Sequence, residues 1–178
     1  MIFTETPLKG AYIIDIEPHK DNRGWFSRTF CKEEFEKHGL CTEFVQHNSS
    51  YNALKGTIRG LHYQIPPDEE IKIVSCVKGC IFDVIVDVRK DSSTYMQWFS
   101  VELSESNGRM LYIPKDFAHG FQTLCDETMV LYQMSEYYKK GSESGIRWND
   151  ATLNIDWPEK ENVIMSEKDS QLQLLNNK

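Results

Sequence analysis

The densest polar cluster in the chain begins at Gln46-His47-Asn48-Ser49-Ser50, runs to Arg59-Gly60-Leu61-His62-Tyr63-Gln64, and is followed by Lys72 on a stretch of alternating pattern. Arg, His and Lys on one short stretch suit an anionic substrate and proton transfer, since an imidazole with an ordinary pKa near ~6.5 changes charge around neutrality. The plainer alternative is that these groups cap turns or face solvent. A second cluster, Ile113-Pro114-Lys115-Asp116-Phe117-Ala118-His119-Gly120-Phe121, sets another His among small and aromatic residues. Alone, His119 reads as a hydrogen-bonded core histidine. If both histidines line one barrel mouth, they belong to a ligand site, because small antiparallel barrels commonly bind there.

Rival chemistries need residues that this chain lacks. A metal needs three or four ligands, but each cluster offers one His, and position 64, where a His-x-His partner would stand, is Gln64. His19, His38 and His47 lie in polar segments without ligand spacing. There is no Gly-x-Ser-x-Gly elbow, no catalytic Cys/His signature and no Gly-rich phosphate loop. What remains is proton chemistry by basic residues around an anion, with no metal.

The elements that must hold these residues are short strands. Tyr12 to Ile16, Ile71 to Val77, Ile81 to Val88, Met110 to Ile113 and Met129 to Tyr132 are apolar or alternating runs, punctuated by Lys78-Gly79, Asp91-Ser92-Ser93, Glu105-Ser106-Asn107-Gly108 and Lys139-Lys140-Gly141-Ser142. Helical pattern is confined to Lys32 to Lys37, stopped by Gly39, and to a turn near the end that Ser166 is placed to cap. An all-β, jelly-roll-like architecture follows, as one domain over residues 1–178. A net charge of −7 argues against coating nucleic acid or an anionic membrane, while leaving room for a local basic pocket. No apolar run approaches a membrane span or a secretory signal. The five cysteines are odd in number and include no Cys-x-x-Cys pair, as expected of free thiols in a reducing cytoplasm.

Three motifs in order, Arg59 to Gln64, Ile113-Pro114 with Phe117 to Phe121, and Ile146-Arg147-Trp148-Asn149-Asp150, are flanked by Asp21-x-Arg23-Gly24 and Ser166-x-Lys168-Asp169. From about Pro7 to Asp169 the chain resembles the RmlC family, the dTDP-4-dehydrorhamnose 3,5-epimerases. That resemblance implies a cupin-type jelly roll, no cofactor, and a homodimer whose nucleotide site borrows residues from the partner chain. It implies deoxysugar biosynthesis of the kind that feeds O-antigen and other cell-surface polysaccharides. By position, His62 matches the family's proton acceptor, Asp169 its paired carboxylate and Tyr132 the proton donor. Lys72 and His119 match residues around the sugar ketone. Arg23, Gln46, Asn48, Arg59, Glu143 and Lys168 match substrate-binding positions.

Elementary chemistry fits these roles. A C4 ketone acidifies the hydrogens on C3 and C5, because the carbanion delocalises onto oxygen as an enolate. Inversion then needs a base on one face of the sugar and an acid on the other. A fixed Lys72 charge would stabilise the enolate, and an Arg59 fork suits a diphosphate.

The chain departs from the family twice. Where the family usually shows Phe-x-Glu in the nucleotide site, this chain has Phe26-Ser27-Arg28, so an acceptor becomes a donor. Cytosine carries an acceptor at N3 where thymine carries a donor, so a CDP-linked sugar stands beside a dTDP-linked one as the expected substrate. The second departure is Glu70, where the family more often has Gln; the sequence assigns it no effect. Two other functions stay open at this level: a non-catalytic sugar-nucleotide-binding cupin and a 3,4-ketoisomerase. Which carbon is inverted is not legible from these residues.

Overall fold

A computed structural model describes residues 1–175. In chain order it comprises β1 (Ile2–Glu5), β2 (Tyr12–Asp15), β3 (His19–Asp21), β4 (Gly24–Phe26), α1 (Lys32–Lys37), β5 (Gln46–Asn52), β6 (Ile58–Gln64) and β7 (Lys72–Lys78). There follow β8 (Cys80–Asp87), β9 (Trp98–Ser104), β10 (Met110–Ile113), β11 (Phe117–Thr123), β12 (Thr128–Met134), β13 (Glu143–Gly145) and α2 (Glu167–Ser170). Every strand pairing is antiparallel. A six-stranded sheet in the order β1-β2-β10-β7-β12-β5 faces a five-stranded sheet in the order β13-β6-β11-β8-β9. This is the jelly-roll sandwich expected of the sequence, with β3 and β4 forming a separate hairpin.

Period-two alternation decides which side chains meet between the sheets. Val74 and Cys76 of β7, Ile81 and Ile85 of β8, Leu111 and Ile113 of β10, Phe117 and Phe121 of β11 and Val130 of β12 form one buried cluster. Each such Leu, Ile or Phe contributes about 1.5–3 kcal/mol by leaving water. The alternate residues of β8 and β11, including Val84, Val86 and Ala118, pack outward under Ile146, Leu153, Ile155 and Trp157. Part of the Ile146-to-Asp150 motif is therefore structural cover for the five-stranded sheet. On the other outer face, Phe35 of α1 closes over Ile14, Ile73, Met110 and Tyr112.

All five apolar runs picked out in the sequence are strands, and α1 spans the expected residues, with Gly39 following at φ +68°. The polar segments Gln46–Asn52 and Ile58–Gln64 are strands too. Their inward positions face a cavity and are polar, so the inward apolar residues that mark the other strands are missing there, although Ile58 and Leu61 of β6 still pack on the outer face of its sheet. No helix among the described residues is long and apolar enough to cross a membrane.

Candidate active site

The inner faces of the sheets continue past the apolar cluster into a cavity of about 310 Å³, lined by Asn48, Ser50, Arg59, His62, Lys72, His119, Phe121, Tyr132, Met134, Ser166 and Asp169. A neighbouring hollow of about 340 Å³ shares Asn48, His62 and Met134 with it and adds Gln46, Glu70, Tyr138, Glu143 and Lys168. Arg59, His62 and His119 come from the five-stranded sheet. Asn48, Lys72 and Tyr132 come from the six-stranded one. The two clusters singled out in the sequence thus line one space, with His62 and His119 side by side on one wall and Asn48 and Lys72 on the wall opposite.

Two glycines set the meeting of the histidines. His62 and His119 are direct partners across β6 and β11. A Cβ on Gly60, at φ +112°, would lie 2.6 Å from Gly120 Cα and from the His119 carbonyl, and one on Gly120 would lie 2.6 Å from the Arg59 carbonyl. Only bare backbone lets the strands approach that closely, which explains why a glycine stands beside Arg59 and another beside His119.

His62 Nε2 lies 2.8 Å from Asp169 Oδ1, and the Gly60 N–H donates to Asp169 Oδ2 at 3.2 Å. Ser166 caps α2 by accepting the Asp169 N–H at 3.1 Å, as the sequence suggested. Burial works against the Asp169 charge, but the His62 bond and charge, with the Gly60 and Ser166 contacts, hold its carboxyl below the usual range. An ionised carboxylate only accepts, so Nε2 is the donor in this bond and Nδ1 is the ring nitrogen that Asp169 does not engage.

His119 Nε2 makes the corresponding contact with Asp83 Oδ1 at 2.8 Å. Burial pushes the Asp83 carboxyl up, opposed by His119 and Lys72, and its Oδ2 has no hydrogen-bond partner among the described residues. The Tyr132 hydroxyl lies 3.0 Å from Ser50 Oγ; burial raises its pKa, so it keeps its proton at neutral pH. Lys72 Nζ lies 2.8 Å from Glu70 Oε1 and donates to the His62 carbonyl at 3.2 Å. Arg59 donates from Nε to Asn52 Oδ1 at 2.7 Å and from Nη2 to the Tyr51 carbonyl.

In the neighbouring hollow, Gln46 donates to Asn48, and Glu143 accepts from Tyr138 and, at 3.1 Å, from Lys168. Arg23, Phe26 and Arg28 line neither hollow. Arg23 is 85% exposed and paired with Asp21 at the tip of the β3–β4 hairpin, where Trp25 and Phe26 are exposed as well. Among the described residues no three His, Cys, Asp or Glu side chains gather as a metal-ligand set.

Comparison with known proteins bears on what this arrangement is for. The family model described as dTDP-4-dehydrorhamnose 3,5-epimerase matches residues 5–177. The chain belongs to this family. It is 45% identical over 169 residues to the dTDP-4-dehydrorhamnose 3,5-epimerase of Methanothermobacter thermautotrophicus, covering 94% of this chain and 90% of the relative. The crystal structure of the Bacillus anthracis dTDP-4-dehydrorhamnose 3,5-epimerase, with TDP and PPi bound, superposes with a TM-score of 0.95 at 44% identity, covering 98% of this chain and 99% of that one. That of the Legionella pneumophila dTDP-6-deoxy-D-glucose-3,5-epimerase RmlC, in complex with dTDP-4-keto-L-rhamnose, gives 0.92 at 40% identity, covering 97% and 92%.

Members of the family are epimerases, and hence isomerases. The relatives give no support to a CDP-linked substrate, to a binding-only cupin or to a ketoisomerase. Arg28, on which the CDP expectation rested, lines neither hollow and pairs with Glu34 at 2.6 Å. Sequence reasoning gave no role in the site to Asp83, Ser50 or Met134. Asp83 was detectable, since it shares the inward parity of Ile81 and Ile85 in an apolar run and is fully buried. Ser50 and Met134 carry no such mark.

Proposed function

We propose that this chain inverts both C3 and C5 of a dTDP-linked 4-keto-6-deoxyhexose, using His62 as base and Tyr132 as acid. The observation that carries this is the His62–Asp169 pair on one wall of the cavity and the Tyr132 hydroxyl, 3.0 Å from Ser50 Oγ, on the other. A hexose between the two sheets offers one face to each.

His62 Nδ1 takes the proton from C5 or C3, and the C–H electron pair moves into the ring as the C4 oxygen becomes an enolate. Asp169 stabilises the imidazolium that forms. Lys72 and His119 stand beside the enolate oxygen and offset its charge. Tyr132 then delivers its proton to the opposite face, the C4 ketone re-forms, and the configuration is inverted. Exchange with solvent returns a proton to the phenolate and removes one from His62. Repeating the sequence at the second carbon needs the same two groups, with the sugar turned slightly between them.

Arg59, Gln46, Asn48, Glu143 and Lys168 would hold the nucleotide and sugar, with the diphosphate at the guanidinium. The exposed Trp25 and Phe26 are an unusual surface for a lone chain and suit a homodimer, in which the hairpin carrying Arg23 and Phe26 reaches a partner's cavity. The product would enter deoxysugar biosynthesis for cell-surface polysaccharide. Five free thiols suit a cytoplasmic enzyme.

Incubation with dTDP-4-keto-6-deoxyglucose, followed by proton NMR, is expected to give the 4-keto-L-rhamnose configuration. Titration with dTDP, UDP and CDP is expected to show dTDP binding most tightly. An unchanged sugar, or clearly tighter CDP binding, would overturn the corresponding part of the proposal.

A further inference from the structure

Glu70 is a charged side chain only 4% exposed, at the boundary between the two hollows. Its two oxygens serve opposite sheets. Oε1 lies 2.8 Å from Lys72 Nζ on β7 of the six-stranded sheet. Oε2 accepts the backbone N–H of Gln64 at 3.2 Å, two residues beyond His62 on β6 of the five-stranded sheet. Lys72 makes a second crossing by donating to the His62 carbonyl at 3.2 Å.

An ammonium has three N–H donors. One is given to the His62 carbonyl, and the ion pair with Glu70 Oε1 fixes the ammonium from a second side while Lys72 still lines the cavity. One oxygen of the carboxylate accepts the Gln64 N–H and the other faces the Lys72 cation, so neither position suits an amide NH₂. A Gln in the same place could accept from only one, and would turn its own NH₂ toward the other. The Lys72 ammonium would then be free to rotate, or the Gln64 N–H would be left buried without a partner.

We infer that Glu70 is a positioning residue in this chain: it fixes the Lys72 ammonium relative to His62, so that base and enolate-stabilising charge act on one substrate geometry. This rests on the epimerase reading above. Glu70 touches no reacting atom and acts through Lys72.

The test is a double-mutant cycle with Glu70→Gln, Lys72→Met and the double variant, following kcat, KM and thermal melting of each. Glu70→Gln is expected to lower kcat about 10- to 100-fold with KM within about threefold, as for loss of one oriented donor in a closed site. In the Lys72→Met background the same substitution is expected to cost less than about threefold, because the group it orients is gone. Should Glu70→Gln melt below assay temperature, Glu70→Asp, which keeps both acceptors on a shorter stem, carries the same cycle. Multiplicative losses in the two backgrounds, or an unchanged kcat in Glu70→Gln, would overturn the inference. A wild-type enzyme that left the sugar unchanged would instead overturn the epimerase reading.

Discussion

Replacing Asp169 with Asn separates the charge of the His62 partner from its shape. The carboxylate is 8% exposed and receives His62 Nε2 at 2.8 Å and the Gly60 N–H at 3.2 Å. Asn has one oxygen for these two donors. If the oxygen faces His62, the amide NH₂ meets the Gly60 N–H and the imidazolium loses its counter-charge. If the amide is reversed, its NH₂ donates to Nε2, which forces the ring proton onto Nδ1, the nitrogen that should accept from carbon. A hydrogen bond to a charged group is worth about 1.5–3 kcal/mol, and each ~1.36 kcal/mol is tenfold in rate, so the first geometry costs about 10- to 150-fold. The second approaches the whole contribution of a positioned base, roughly 10²–10⁴-fold. We expect kcat in Asp169→Asn to fall about 100-fold with KM within about threefold, since binding does not use the dyad. The assay is proton NMR of dTDP-4-keto-6-deoxyglucose turnover, with thermal melting to show that the variant is folded. A folded variant with kcat within about threefold of wild type would refute the role assigned to the pair.

Three further outcomes follow from the same geometry. Tyr132→Phe removes the acid but leaves the base: deuterium should still enter from D₂O with retained configuration, while inversion falls about 10²–10⁴-fold; full inversion would exclude Tyr132 as donor. Arg59→Lys loses the planar fork now braced by Asn52 and Tyr51, so KM should rise about tenfold with kcat little changed, as steady-state kinetics will show. Because the folded Asp169 carboxyl is held below its ordinary value, its stabilising contribution is complete above the unfolded carboxylate pKa of about 3.9 and is lost as pH falls through the folded value. The gap in urea midpoint between wild type and Asp169→Asn should therefore be full at neutral pH and shrink below about pH 4.

Much of this site was legible in the sequence because its residues interrupt the pattern that builds the fold. Arg59 and His119 stand beside glycines that let two strands touch, and Ser166 marks the cap that holds Asp169 in place. The strands β5 and β6 were harder to see as strands, since their inward residues are polar for the cavity's sake. The pairing of Asp169 with His62 was legible only through the family resemblance, since no local pattern near Asp169 announces that its partner stands on β6; likewise nothing near Arg28 announces Glu34. The sequence assigns Glu70 no effect, because only the folded chain sets its two oxygens between two sheets.

The proposed reaction is proton exchange at two carbons flanking one ketone, with His62 and Tyr132 on opposite faces. Incubating the wild-type enzyme with dTDP-4-keto-6-deoxyglucose in D₂O and reading the product by NMR tests this most directly. Deuterium at both C3 and C5, each with inverted configuration, is the expected result. No deuterium at either carbon, or exchange without inversion in the wild type, would contradict it.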